Sequence, residues 1–312
     1  MSASVADEVP RAGDDPAFRD AVTFSFGDPA GSVYGLARVG LGGGGASASG
    51  SGFAVVYAGD TLAGASTEAE VAVEVAAGAV DSWATVSAAG VRSTVETPLV
   101  AWTVTYDGPE AGFDLRFEAV SAPAVLDAED PVARAGGMEG YEQLCSVSGT
   151  VRVGERRVAV RCLGQRGHLW GTPDWNRIEL ARTLSAWMGA DRAVTLTALR
   201  PAKAKHHDEE AVAGFLIDGG EPLAIFDPRL STTYDGSLRQ RRAGLELWMQ
   251  EDGGLARRAA GEVLCGTTVD LGDLRLNSAF FHWRMEGREG TGRYDVLRRV
   301  RVDGGGGVRR RR

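Results

Sequence analysis

The chain has 312 residues, 44% hydrophobic and 24% charged, which suffices for a core without metal or disulfide staples and is too apolar for a disordered protein. A net charge of −8 argues against a constitutive nucleic-acid binder, because neutralising phosphates needs a basic face. Three cysteines, none in a CxxC pair, offer neither a disulfide framework nor a zinc ribbon, and no stretch approaches the ~18 apolar residues of a membrane span.

Residues 1–20 are acidic and rich in Asp, Ala and Pro, and read as a poorly ordered lead-in. They lack the basic and apolar regions of a signal peptide, so a cytoplasmic protein is expected, with no integral membrane segment, no metal and no cofactor. From residue 21 the chain alternates strand and turn. Val71, Val73 and Val75 alternate with Glu70, Ala72 and Glu74, and Phe113, Leu115 and Phe117 alternate with Asp114, Arg116 and Glu118. Period two of this kind describes half-buried antiparallel strands. The Gly42–Gly45 run lacks a Gly-Lys-Ser/Thr ending and reads as a hairpin tip, not a phosphate loop.

The Pro-, Gly- and acid-rich stretch from Pro123 to Gly137 interrupts the alternation and is the expected boundary between a first unit over 21–125 and a second over 138–303. Turn signals then recur at Gly154-Glu155, Gly189–Asp191, Asp218–Gly220 and Asp252–Gly254, a spacing suited to a meander. Residues 175–188 fit either a helix or a strand; the hairpin turn at Gly189–Asp191 into the strand-like Ala193–Leu199 favours the strand. Residues 304–312 read as a flexible basic tail. The fold class is all-β.

The informative stretch is 140–175. A turn at Gly154-Glu155 puts Val147, Val151, Val153, Val158, Val160 and Cys162 on a buried face and Arg152, Arg157 and Arg161 on a wet one. The same register carries Tyr141 and Gln143 onto the buried face opposite His168 and Arg166, with Trp170 following. An apolar face thus ends in polar and aromatic groups. Either this end opens to solvent or Arg166 has an acceptor, for which Asp174, a ligand anion or main-chain carbonyls are candidates. Trp170 and Trp175 around Pro173 could equally plug a barrel end.

Gly-Tyr-Glu-Gln at 140–143, followed after a strand pair by Arg-Gly-His-Leu-Trp-Gly-Thr-Pro-Asp-Trp at 166–175, resembles the hydroxyneurosporene synthase (carotenoid 1,2-hydratase), AttH-like superfamily. The resemblance implies two tandem lipocalin-like (calycin) antiparallel β-barrels, with the His-x-Trp of the motif in the second and part of an acid–base site. Gly167, Leu169 and Pro173 depart from the superfamily pattern of Asp, Ser and Arg, and no tyrosine lies within 176–225 to supply the Tyr-x-Asp of the hydratase branch.

The expected partner is a lipophilic, isoprenoid-like small molecule held in a barrel cavity. His168 would carry the proton of an acid-promoted hydration or cyclisation, with Arg166 as orienter and Trp170 beside it. Tyr141, Gln143, Asp174 and Trp175 would line the ligand. A non-catalytic carrier and a structural two-barrel protein are the alternatives. His206 to Glu210 has a metal-like composition but reads as a solvated loop.

Overall fold

The computed structural model describes residues 3–11, 13–43, 49–72, 82–206, 209–250 and 254–300. About 69% of it is strand and 5% helix, so the fold is all-β. After a 3-10 turn at Val5–Glu8, the chain forms β1 (Arg19–Asp28), β2 (Val33–Gly42), β3 (Ser49–Ala58), β4 (Thr61–Ala72), β5 (Ser87–Ala88), β6 (Val91–Thr97), β7 (Ala101–Asp107), β8 (Ala111–Ala119) and β9 (Ala124–Leu126). A short helix α1 (Pro131–Gly136) leads into the long hairpin β10 (Met138–Val153) and β11 (Arg156–Gly171). The remainder is β12 (Ile178–Gly189), β13 (Arg192–Pro201), β14 (Ala211–Asp218), β15 (Glu221–Ala224), β16 (Asp227–Tyr234), β17 (Gln240–Trp248), β18 (Arg257–Leu271), β19 (Leu274–Met285) and β20 (Arg288–Arg299).

Two antiparallel sheets result. The first runs β4-β3-β2-β1-β11-β10-β8-β7-β6-β5, with β9 paired to β10; the second runs β15-β14-β13-β12-β20-β19-β18-β17-β16. The edges of the first sheet meet. The Ala89 N–H donates to the Glu68 carboxylate at 2.7 Å, and a Cβ on Gly52 would lie 2.7 Å from the Ala88 carbonyl oxygen. This sheet is a nearly closed barrel and the second a half-barrel, so few strand edges stay open.

Each sheet encloses its own apolar core, with Phe24, Phe26, Trp102 and Phe117 in the first and Leu184, Leu245, Phe281 and Trp283 in the second. A third core glues the sheets face to face through Tyr34, Leu36, Val55 and Tyr57 against Trp187, Ile217 and Phe280. Strands β1 to β3 are therefore buried on both faces and lose the simple alternation, whereas β8 keeps it.

Two expectations are corrected. The stretch 123–137 does not divide the sheets: it forms β9 and α1, the helix capped by the Asp130 carboxylate on the Val132 N–H (2.7 Å) and closed by Gly137 at φ +65°. The hairpin β10–β11 belongs to the first sheet, between β1 and β8, and the sheets part between Gly171 and Ile178. Composition marks a break in alternation, but which distant strand a hairpin joins is a non-local choice that local sequence does not encode. Residues 3–11 are the second correction, since they are packed into the structure with Glu8 only 3% exposed. Residues 178–201 form the hairpin β12–β13. The expected basic tail, the continuation of the Val71–Val75 alternation past residue 72, and His207 with Asp208 lie outside the described residues.

Candidate functional site

The hairpin β10–β11 sets the geometry. Its pairing runs from Val153 opposite Arg156 to Met138 opposite Gly171, around a turn where Gly154 takes φ +57°. Val147, Val151, Val158 and Val160 are buried, while Arg157 and Arg161 are exposed. Tyr141 consequently faces inward opposite His168, and Gln143 opposite Arg166. Gly140, at φ +151°, admits no side chain here, because a Cβ would lie 2.0 Å from the His168 carbonyl oxygen.

Inside the barrel these residues form one sealed polar network. Arg166 is fully buried, and its two terminal nitrogens donate to the two Glu8 oxygens at 3.0 Å each. The Tyr141 hydroxyl (2.7 Å), the Trp102 indole N–H (3.0 Å) and the Leu99 backbone N–H (3.3 Å) donate to the same carboxylate. The Arg166 guanidinium also lies over the Trp102 and Tyr141 rings, at 4.8 and 4.9 Å. Burial pushes the Tyr141 phenol up, so it serves as a donor.

His168, also fully buried, makes a 2.7 Å bond from Nε2 to the Asp20 carboxylate, whose other oxygen accepts the Arg11 backbone N–H at 2.6 Å. Since a carboxylate only accepts, Nε2 carries the proton, and Nδ1 has no partner among the described residues. The His168 ring packs edge-on against Trp83, Tyr141 and Trp170. Arg11 covers the Trp170 ring at 3.7 Å, and the Trp170 N–H donates to Glu139 at 2.9 Å. Gln143 donates to the Leu99 and Ser121 carbonyls, both at 3.2 Å.

Five of the expected site residues thus come together: Tyr141, Gln143, Arg166, His168 and Trp170. Asp174 and Trp175 do not join them. Asp174 is exposed and accepts the Asn176 N–H, and Trp175 packs beside the Val132, Ile178 and Leu199 cluster. The acceptor of Arg166 is Glu8, which lies, like Asp20, in the stretch expected to be a poorly ordered lead-in. The one signal available was the demand of an inward-facing arginine for a carboxylate; nothing local names which of 42 acidic residues answers it.

The outward face of the same hairpin meets the second sheet. There a narrow cleft of about 20 Å³, room for a water or two, is lined by Ala124, Leu126, Glu142, Leu169, Leu196 and Phe215, among others. Glu142 is 12% exposed, accepts a short hydrogen bond from Thr195 and stands 3.7 Å from the Arg293 guanidinium. Burial holds its carboxyl above the usual carboxylate range, against the pull of Arg293 and the hydrogen bonds of Thr195 and Gln165. Asp295, 3.3 Å from Arg293, is likewise pushed up by burial. Opposite Glu142 stands Gly167, where a Cβ would rest in ordinary contact with Glu142 at 3.5 Å.

The family described as "Domain of unknown function (DUF7064)" matches residues 4–300. The chain belongs to this DUF7064 family. Its fold is that of the AttH-like tandem lipocalin-like proteins. A crystal structure assigned as AttH from Nitrosomonas europaea superimposes with a TM-score of 0.67 at 11% identity, covering 93% of this chain and 95% of that one. CghA with Sch210972 gives 0.65 at 13% identity, covering 96% and 94%. Kievitone hydratase from Nectria haematococca gives 0.63 at 10% identity, covering 95% and 93%. At such identities the likeness establishes the shared fold of this DUF7064 protein. Among curated proteins, none matches the chain in sequence. Among the described residues, no helix is long and apolar enough to cross a membrane.

Proposed function

We propose that this DUF7064 protein binds a lipophilic small molecule in the cleft between its sheets and promotes hydration or cyclisation of an alkene there, with Glu142 as the acid. The observation that carries this reading is a carboxyl group only 12% exposed, set among apolar residues at a cleft, where burial raises its pKa. A general acid works best when its pKa approaches the working pH, and desolvation is the means by which a glutamate gets there. Proton transfer breaks the Glu142 O–H bond and forms a C–H bond on the alkene. Thr195 and Arg293 then stabilise the carboxylate left behind. Water, or a second alkene of the same substrate, attacks the cation, and the proton released returns to Glu142. The likeness to a protein named kievitone hydratase supports the reaction class by analogy alone.

His168 and Arg166 sit on the other face of the same strands, with no exposure to carry a substrate proton. In this reading they hold the hairpin in place. The non-catalytic carrier would use the same cleft without Glu142.

Nile red fluorescence tests the site. Leu169→Trp fills the cleft from a half-buried position and should weaken dye binding about ten-fold, the effect of losing ~1.4 kcal/mol. Glu142→Gln should retain dye binding. Unchanged affinity in Leu169→Trp would refute the cleft as the binding site.

A further inference from the structure

The carboxylate of Glu8 is received by a set of donors more elaborate than an arginine needs for neutralisation. Five donors converge on it: two guanidinium nitrogens of Arg166, the Tyr141 hydroxyl, the Trp102 indole and the Leu99 backbone N–H. Four of these five belong to the barrel wall, on β7, β10 and β11. The fifth comes from the connection between β6 and β7, where Leu99 is held at φ +59°, a left-handed conformation costly for a leucine. That conformation aims its N–H at Glu8 while its carbonyl accepts from Gln143. A receptor so arranged fits any carboxylate, tethered or free.

The segment that delivers Glu8 is held more lightly than the receptor. It is a single 3-10 turn, Val5–Glu8, whose first residue Val5 is 63% exposed and whose following residue Val9 is 48% exposed. Its further ties are the Arg11 backbone on Asp20 and the Arg11 side chain over Trp170. Beside it, three buried polar groups have no hydrogen-bond partner among the described residues: His168 Nδ1, Trp83 Nε1 and Gln143 Oε1.

We infer that Arg166, Tyr141, Trp102 and the Leu99 N–H form a carboxylate-binding site that Glu8 occupies as a tethered ligand, and that a free monocarboxylate takes when residues 3–11 lift away. The body of such a ligand would lie against Trp83, Trp102, Tyr141 and Trp170, whose rings pack around Arg166 and His168, so an aryl or alkyl acid is the class it fits. The site lies inside the first barrel and is independent of the cleft reading.

Chemical rescue tests it. Glu8→Ala should melt below the wild type, and 100 mM sodium acetate should raise its melting temperature by about 3 °C or more over 100 mM sodium chloride, as a ligand of the folded state alone does. Acetamide should not, since it lacks the charge, and neither salt should rescue Glu8→Ala combined with Arg166→Met. Equal shifts with acetate and acetamide, or acetate rescue persisting without Arg166, would overturn the inference. Glu8→Gln, which keeps the side-chain shape, covers the case in which Glu8→Ala does not fold. Isothermal titration with phenylacetate should find it about ten-fold tighter on Glu8→Gln than on the wild type, where the tethered carboxylate competes. Equal affinity for the two proteins would overturn the inference as well.

Discussion

The Glu8–Arg166 pair is the structural claim most open to a quantitative test, because both partners are almost completely out of water, at 3% and 0% exposure. Arg166→Met removes the countercharge and leaves the Glu8 carboxylate with three neutral donors, the Tyr141 hydroxyl, the Trp102 N–H and the Leu99 N–H. Breaking a buried pair from one side typically costs 3–5 kcal/mol, so the variant should lose about 3 kcal/mol or more and melt at least ~6 °C lower. Glu8→Leu strands the guanidinium and should cost a similar amount. The double variant has neither charge to desolvate, so its loss should fall well short of the sum, with an interaction energy of about 2–3 kcal/mol. Urea titration at pH 7 followed by tryptophan fluorescence suits the measurement, since Trp102 touches both partners. Single losses below about 1 kcal/mol, or additivity within ~0.5 kcal/mol, would refute a desolvated, directly coupled pair.

The other expectations concern burial elsewhere. Because burial raises Glu142 and Asp295, the folded chain binds more protons than the unfolded one just above the ordinary carboxylate range. This contribution to stability is complete below that range and is lost as pH rises through the raised values. Glu142→Gln should flatten the fall of urea midpoint between pH 4.5 and 8; an unchanged or steeper slope would show that Glu142 is not the group titrating. Burial pushes Cys145 and Cys265 to about 12, so at pH 8 a thiol reagent should label these two roughly 10³-fold more slowly in native than in denatured protein. Prompt native labelling of either would contradict their burial. Val158→Asp should cost about 3 kcal/mol or more by burying an unpaired charge, while Arg157→Asp next to it should change stability by less than ~0.5 kcal/mol. Equal effects would reverse the assignment of the hairpin faces.

Much of the architecture was legible because period-two alternation and turn chemistry are local. Phe113, Leu115 and Phe117 are buried between exposed Asp114, Arg116 and Glu118, and a single glycine turn placed every residue of β10 and β11 on its face. The site was legible only as far as that register reached. It put Tyr141, Gln143, Arg166 and His168 together, since each faces another across the hairpin. It could not supply Glu8 or Asp20, which come to the network from 158 and 148 residues away in sequence. Nor could it tell that the wet face of the hairpin's far end is covered by a second sheet, which places Glu142 in a cleft and not in solvent. The membership of the hairpin in the first sheet failed for the same reason: pairing between distant strands leaves no periodic mark on either.

One hairpin therefore presents two chemistries on opposite faces, and His168→Ala separates them. A histidine in an open ligand cavity could be trimmed with little loss of stability. Here the ring is fully buried, bonded to a buried Asp20 carboxylate and packed on Trp83, Tyr141 and Trp170. Its removal leaves a void and takes from Asp20 one of its two hydrogen bonds, so about 3 kcal/mol of destabilisation is expected. The cleft lies across the sheet, where Glu142 and Leu169 project away from His168 and toward the second sheet. Nile red affinity in the folded variant should thus match the wild type. A small loss of stability joined to a large loss of dye binding would reverse the assignment, placing the ligand inside the barrel with His168 against it.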